Sequence, residues 1–342
     1  MKKLLLLPLF IITIYGQGQF SGVTYFDYTY DLTEDAANDA GFGLKRVYFT
    51  YKQDLSENMS YKFQTDVGQL EVGNFDDDDQ LDGTKKTQFV AYLKKAQLDW
   101  KTSYGKLTFG MQGMNVFNVI EKTWGFRFLE KTPMDLNKFS SSADIGIGYS
   151  GKYRDLNYSF MYTNGCGYKK NENDKHKKTS AQFVYGEKDL SKKDGFNIGT
   201  SFSMEPYDYE NTDLTISVKN KTLMAFYGGY AANGLRIGAE FDAYTDDGTD
   251  ITQQIIAGYA NYKISDKINI LGRVDMFDPW IESIDDPATT DINEEKDGQT
   301  NIIVGFNCIP SKGLTITPNV RMSIPEEGDT TTLLMLNFEF KF

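Results

Sequence analysis

The sequence predicts an all-β chain: a transmembrane antiparallel β-barrel of about sixteen strands, with its third outer loop folded inward. Three observations carry this expectation. From Leu334 to Phe342 the residues Leu334, Leu336, Phe338, Phe340 and Phe342 alternate with Met335, Asn337, Glu339 and Lys341, one apolar face and one polar face of a strand that ends the sequence on an aromatic residue. Such a strand is stranded as a soluble edge, but it is at home where last pairs with first and the apolar face meets lipid. The start reads as a secretory signal peptide: Met1-Lys2-Lys3, an apolar run from Leu4 to Ile14, then Gly16 and Gly18. Along the rest, short and long connections between candidate strands alternate, as periplasmic turns and outer loops do.

Cleavage after Gly18 leaves residues 19–342 as one barrel domain and moves the net charge from −12 to −14. The run Leu4–Ile14 is too short to span a bilayer as a helix, and no later stretch is continuously apolar for about 18 residues. A mean hydropathy of −0.46 suits a wide barrel, in which only alternate strand residues touch lipid. Cys166 and Cys308 are predicted to be unpaired. The topology sets them near opposite strand ends, about 33 Å apart for a ten-residue strand, against about 7 Å between bridged Cα atoms.

Taken in order, strand one is expected over Phe20–Tyr30, with Phe26, Tyr28 and Tyr30 on one face, and strand two over Gly41–Lys52, with Arg46, Tyr48 and Thr50 opposite Val47, Phe49 and Tyr51. After the turn Asp54–Asn58, strand three alternates Met59, Tyr61 and Phe63 with Ser60, Lys62, Gln64 and Asp66, and a long acidic loop with Asp76–Asp79 and Asp82 follows. Strand four, Gln88–Trp100, loses phase near Leu93–Lys95, the mark of a bulge. Strand five is Leu107–Gln112, and the longest loop is Met114–Ser140. Strands six and seven, around Ile145–Tyr149 and Leu156–Thr163, flank the turn Gly151–Asp155. Strand eight (Thr179–Glu187) and strand nine (Gly195–Met204) are separated by Lys188–Asp194, the one lengthy member of the short set. Loop Glu205–Val218 leads to strand ten (Lys219–Tyr230). Asn233-Gly234 is a strong hairpin signal before strand eleven. Strand twelve is Thr252–Ile264, and thirteen begins at Ile268. The acidic connection Asp278–Gly298 precedes fourteen, and strand fifteen, from Leu314, contains Pro318, which argues for an edge or bulge.

A barrel this wide is not filled by its own strand side chains, so an aqueous lumen is the default. Its expected wall is the polar face: Arg46, Lys62, Asp66, Lys95, Asp99, Arg236, Glu240, Asp242, Arg273, Asp275, Arg321, Glu339 and Lys341. These charges either tune ion passage or bridge strands to one another. The loop Met114–Ser140 carries Phe117, Trp124, Phe126, Phe128 and Phe139 with Glu121, Arg127, Glu130 and Lys131, and so aromatic a segment is poorly solvated outside. It is expected to narrow the channel, with Glu121, Trp124, Arg127, Glu130 and Lys131 at the constriction; an ordered cap on the neighbouring loops is the other reading. The acidic outer loops, including Asp285, Asp286, Asp291, Glu294, Glu295 and Asp297, would attract cations. No EF-hand spacing is present, so a metal site stays unknown.

Two stretches resemble the phosphate-selective porin O and P family. One runs from Gly43-Leu44-Lys45-Arg46 through Leu55-Ser56-Glu57-Asn58 to Tyr61-Lys62-Phe63. The other holds Arg273-Val274-Asp275-Met276-Phe277-Asp278, Gly305-Phe306, Ile309-Pro310 and Pro318-Asn319-Val320-Arg321. The resemblance implies a sixteen-stranded outer-membrane channel, usually trimeric, with the third outer loop in the pore and Arg46, Arg273 and Arg321 as wall residues. That family selects anions with arginine rows and lysine clusters. Here Arg46, Arg127, Arg154, Arg236, Arg273 and Arg321 are the only arginines and are widely spread. The resemblance therefore carries the channel and not the solute.

The function expected is passive diffusion of small hydrophilic solutes or ions through the outer membrane. The alternative is an adhesion or structural barrel with partner- or cation-binding outer loops. An enzyme is not expected: the only histidine, His176, lies in a lysine-rich loop. No cofactor motif occurs, and the acidic balance excludes nucleic acid as a partner.

Overall fold

In the computed structural model sixteen antiparallel strands close into one barrel, each paired with its sequence neighbour and β1 (Gln19–Asp31) with β16 (Thr331–Lys341). The structure describes residues 17–33, 36, 40–75, 81–172, 174–282 and 298–342; in 70–75, 81–87 and 280–282 it describes the backbone course alone. The expected signal peptide, Asp76–Asp79 and Asp285–Asp297 lie outside the described residues.

Alternation is what closes the ring. Phe26 and Phe338 stack at 4.3 Å and 3° across the β1–β16 seam, whose register runs from Val23–Lys341 to Asp31–Leu333. Outward positions are apolar and accessible, for example Ile198, Phe226, Ile256 and Val304, while the residues between them, such as Asn197, Tyr227, Ile255 and Ile303, are buried. Exposed aromatics gather where the short turns are: Phe20, Trp100, Tyr104, Tyr153, Tyr185, Phe196, Tyr230, Tyr262 and Phe342. An aromatic body with a polar edge favours a water–lipid boundary, so this belt marks one rim.

The strands are β2 (Ala40–Asp54), β3 (Met59–Phe75), β4 (Leu81–Lys101), β5 (Lys106–Gly113), β6 (Ala143–Tyr153), β7 (Leu156–Thr163), β8 (Lys178–Gly186), β9 (Gly195–Glu210), β10 (Ile216–Ala232), β11 (Leu235–Asp246), β12 (Ile251–Ser265), β13 (Ile268–Glu282), β14 (Gln299–Ser311) and β15 (Leu314–Pro325). Several run past their expected ends. The acidic loop after strand three is mostly the continuation of β3 and the start of β4, which carries Asp82. Likewise, part of Glu205–Val218 is hairpin, and Asp278 belongs to β13. Polar residues end the hydropathy signal before the ladder ends, because backbone hydrogen bonds carry a strand into water without an apolar face.

The phase loss in strand four is a bulge: Gln64 pairs with Lys95 and Thr65 with Leu93, which leaves Lys94 over. Pro318 sits inside the closed sheet rather than at an edge. The ladder with β14 lapses at Phe306 and Asn307, and the Thr317 hydroxyl instead donates to Asn307 Oδ1 at 2.5 Å. Both cysteines are free thiols, Cys166 in the β7–β8 connection and Cys308 on β14.

Candidate functional site

The β5–β6 connection folds into two short helices, α1 (Asn118–Trp124) and α2 (Pro133–Leu136). Gly125 ends α1 in the left-handed conformation, φ 75°, where its N–H reaches Glu121 O. Pro133 opens α2, where a missing N–H costs nothing. The aromatics of this segment are withdrawn from water, Trp124 to 1% and Phe139 to 2% exposure. Trp124 meets Tyr259 of β12 edge-on, Phe128 approaches Tyr25 of β1, and Phe139 stacks on Tyr244 of β11. Val116, Val119, Ile120 and Met134 share one cluster with Val184, Leu223, Ile255 and Ala257 from three strands.

Polar contacts fasten the segment to the wall. Arg236 Nη2 donates to Trp124 O at 3.0 Å, Arg273 Nη1 to Lys131 O, and Arg321 Nη2 to Leu129 O at 2.5 Å. Arg321 Nη1 also holds Glu130 Oε2 at 2.7 Å. On the far side Ser180 donates to Asn115 Oδ1 at 2.7 Å, and Asn197 Nδ2 to Thr123 Oγ1 at 3.3 Å. Within the segment Arg127 bridges Glu121 at 2.7 Å and Asp135 at 2.6 Å.

The wall charges expected from the sequence therefore fall into three sets. Arg236, Arg273 and Arg321, expected to face solute, grip main-chain carbonyls instead: the carbonyls at 124, 129 and 131 have no helical partners and must be satisfied by something. A second set is cationic and lies on β2–β4. Arg46 bridges Asp66, whose side chain is fully buried. Lys62 and Lys95 make no ion pair among the described residues. Asp99 lies at the edge of this set, 3.3 Å from Lys106 and accepting from Thr108 at 2.6 Å. The third set is acidic and lies on β11–β13: Glu240, Asp242 and Asp275, each buried to 3% or less. Among the described residues Glu240 and Asp242 have no donor beyond each other, while Asp275 is held by Arg273 Nε at 2.7 Å. In a ring of sixteen, β3 and β12 lie nearly opposite, so the cationic and acidic sets sit on opposite sides of the barrel. Glu339 pairs with Lys341 at 2.5 Å near the β16 end.

Sequence reasoning missed Lys94. The bulge turns it to the same side as Lys95, where Nζ lies 3.0 Å from the Tyr48 hydroxyl, 3.5 Å from Asp66 and 4.6 Å from the centre of the Tyr48 ring. Two consecutive lysines at a phase break were the available signal. His176, for which no partner was expected, sits 2.8 Å from Asp208. Among the described residues no cluster of three metal-ligating side chains occurs.

No family model matches the chain, and no curated relative matches it. Solved structures do. OmpF of Salmonella typhi, in complex with daunomycin, is 11% identical, with a TM-score of 0.64 over 95% of this chain and 97% of its own. An anion-selective porin from Comamonas acidovorans is 12% identical, with a TM-score of 0.61 over 95% and 99%. The outer-membrane channel DcaP of Acinetobacter baumannii is 11% identical, with a TM-score of 0.64 over 95% and 97%. The chain has the fold of these bacterial outer-membrane porins.

Proposed function

We propose that the chain is a bacterial outer-membrane channel for passive diffusion of small hydrophilic solutes or ions, with segment 114–140 lying in the bore and narrowing it. The single observation behind this is that one segment is bonded to β7, β8, β9, β11, β13 and β15 together. A cap resting on outer loops would not reach the polar faces of strands on opposite sides of a closed ring. The mature chain is residues 19–342 after loss of the signal peptide, and it assembles as a homotrimer. Support for the trimer comes from the family resemblance and from a similar barrel, OmpT of Vibrio cholerae, described in a trimer form. Specific phosphate selection does not follow, because three of the six arginines are spent on carbonyls of the segment.

Reconstitution in planar bilayers tests the reading. Discrete conductance steps in potassium chloride are expected, and a salt gradient then reads the ion preference. The second reading, a plugged structural or adhesive barrel, is favoured by the near-complete burial of Asp66, Glu240, Asp242, Arg273 and Asp275. Folded protein that inserts and gives no steps would establish it.

The lipid face has its own test. Ile256 is 53% exposed in the middle of β12. Ile256→Arg is expected to cost about 2–4 kcal/mol of folding stability in liposomes, the penalty of a cation at mid-bilayer. Gln254, nearer the strand end, should tolerate the same change at about 1 kcal/mol. Equal costs by urea titration would refute the assignment of this face to lipid.

A further inference from the structure

Seven turns join the strands at the rim where the aromatics gather. Six have two to four residues; the β8–β9 turn has eight. It folds inward. Leu190 is 3% exposed, and Asn197 Nδ2 ties Glu187 O at 2.8 Å and the α1 hydroxyl of Thr123 at 3.3 Å. This brings Lys188 to the edge of a recess of about 190 Å³ between the wall of β5–β8 and the start of α1. The lining is amide and hydroxyl: Gln112, Asn115, Asn157 and Gln182, each buried to 8% or less, with Lys106 and Lys188 as its charges.

The charges do not balance. Lys106 has Asp99 at 3.3 Å. Lys188 has no carboxylate at ion-pair distance among the described residues, and the adjacent Glu187 is held by Lys193 at 3.7 Å. Burial, then the neighbouring Lys122 and Lys106, press the Lys188 ammonium below its usual pKa, as expected where positive charge is in excess. An anion at Nζ would relieve this. The amides ask for more than an anion: their N–H groups already donate to the wall, to Thr108 O and Gly146 O from Gln112, to Val184 O and Gly186 O from Asn157 and to Ser201 Oγ from Gln182, which leaves three amide carbonyls as acceptors in need of donors. Hydroxyl groups can donate to these carbonyls, whereas phosphate near neutral pH brings few P–OH donors for them, and a neutral sugar leaves the lysine without its counter-charge.

We propose that this recess binds a small polyhydroxylated carboxylate of the sugar-acid class, with its carboxylate on Lys188 and its hydroxyls on the surrounding amides. The proposal rests on the channel reading only for the solute's route to the recess. Gluconate is the probe, titrated by calorimetry into the detergent-folded full chain, with sorbitol and inorganic phosphate as comparisons. Gluconate is expected to bind at least about tenfold more tightly than either, and Lys188→Gln to lose about tenfold, the scale of one charge-assisted hydrogen bond. Sorbitol or phosphate binding as well as gluconate, or unchanged binding by a folded Lys188→Gln chain, would overturn it. No gluconate binding by a chain that conducts potassium chloride would overturn it and leave the channel standing. Binding without conductance would support the recess and remove the channel. The comparison of probes on the unaltered chain needs no variant to fold.

Discussion

Deletion of Thr331–Phe342 is expected to abolish the barrel rather than weaken it. Strands alternate in direction around the ring, so β1 meets β16 antiparallel, whereas β15 runs parallel to β1. Without β16 two ladders are lost at once, and the strands left at the gap expose unpaired N–H and C=O groups in a place with no water to satisfy them, at several kcal/mol for each group. The Phe26–Phe338 stack and the bond from Gly22 N to Phe342 O disappear as well. A folded barrel migrates compactly on an unheated denaturing gel. The truncated chain should migrate as unfolded polypeptide in every detergent and lipid in which the full chain folds. A compact, heat-modifiable band from the truncated chain would show that closure does not depend on this seam.

The second large effect is expected at Arg273. Its guanidinium is fully buried, forks onto Asp275, reaches Lys131 O and lies 5.2 Å from the centre of the Trp124 ring. Arg273→Ala leaves the Asp275 carboxylate buried without its cation, near Glu240, whose carboxylate has no cation of its own at ion-pair distance among the described residues. Breaking one side of a buried ion pair costs about 3–5 kcal/mol, more than the pair itself contributes. The same change frees a carbonyl and an aromatic contact of the segment, so conductance should rise and become noisy as residues 124–131 loosen. Arg273→Lys keeps the charge but cannot fork, and should fall between. Urea unfolding followed by tryptophan emission, together with single-channel recording, separates the two consequences. A stability within about 0.5 kcal/mol of the unaltered chain, the range of a neutral surface change, would remove Arg273 from this role.

The architecture was legible because a strand between lipid and water has to alternate residue by residue, and a barrel has to sort its connections by parity. The Leu334–Phe342 pattern alone named both faces of β16, and the phase break at Leu93–Lys95 named the bulge. Strand ends were less legible, since β3, β4, β9 and β13 continue through polar residues. The candidate site was legible by residue but not by partner. Periodicity set Arg236, Arg273 and Arg321 on the polar face, yet nothing in it says that the carbonyls of Trp124, Lys131 and Leu129 would arrive there. Those contacts span 112, 142 and 192 residues of chain. Lys94 escaped because a bulge adds a residue to one side without changing the local composition. The excess length of Lys188–Asp194 was visible, and only the fold gave it a location.

The grip of the three wall arginines on carbonyl oxygens has a consequence for how the proposed channel could be retuned. A main-chain oxygen is supplied by any amino acid, so the part-exposed side chain of Lys131 can be exchanged without releasing the clamp, whereas Leu129 is packed among aromatics and is held by its side chain as well. If the segment narrows a channel as proposed, natural drift or deliberate library design could change what position 131 presents to a passing molecule while the segment stays fixed to the wall. The freedom lies on the held strip of chain, and the constraint lies on the three residues that hold it.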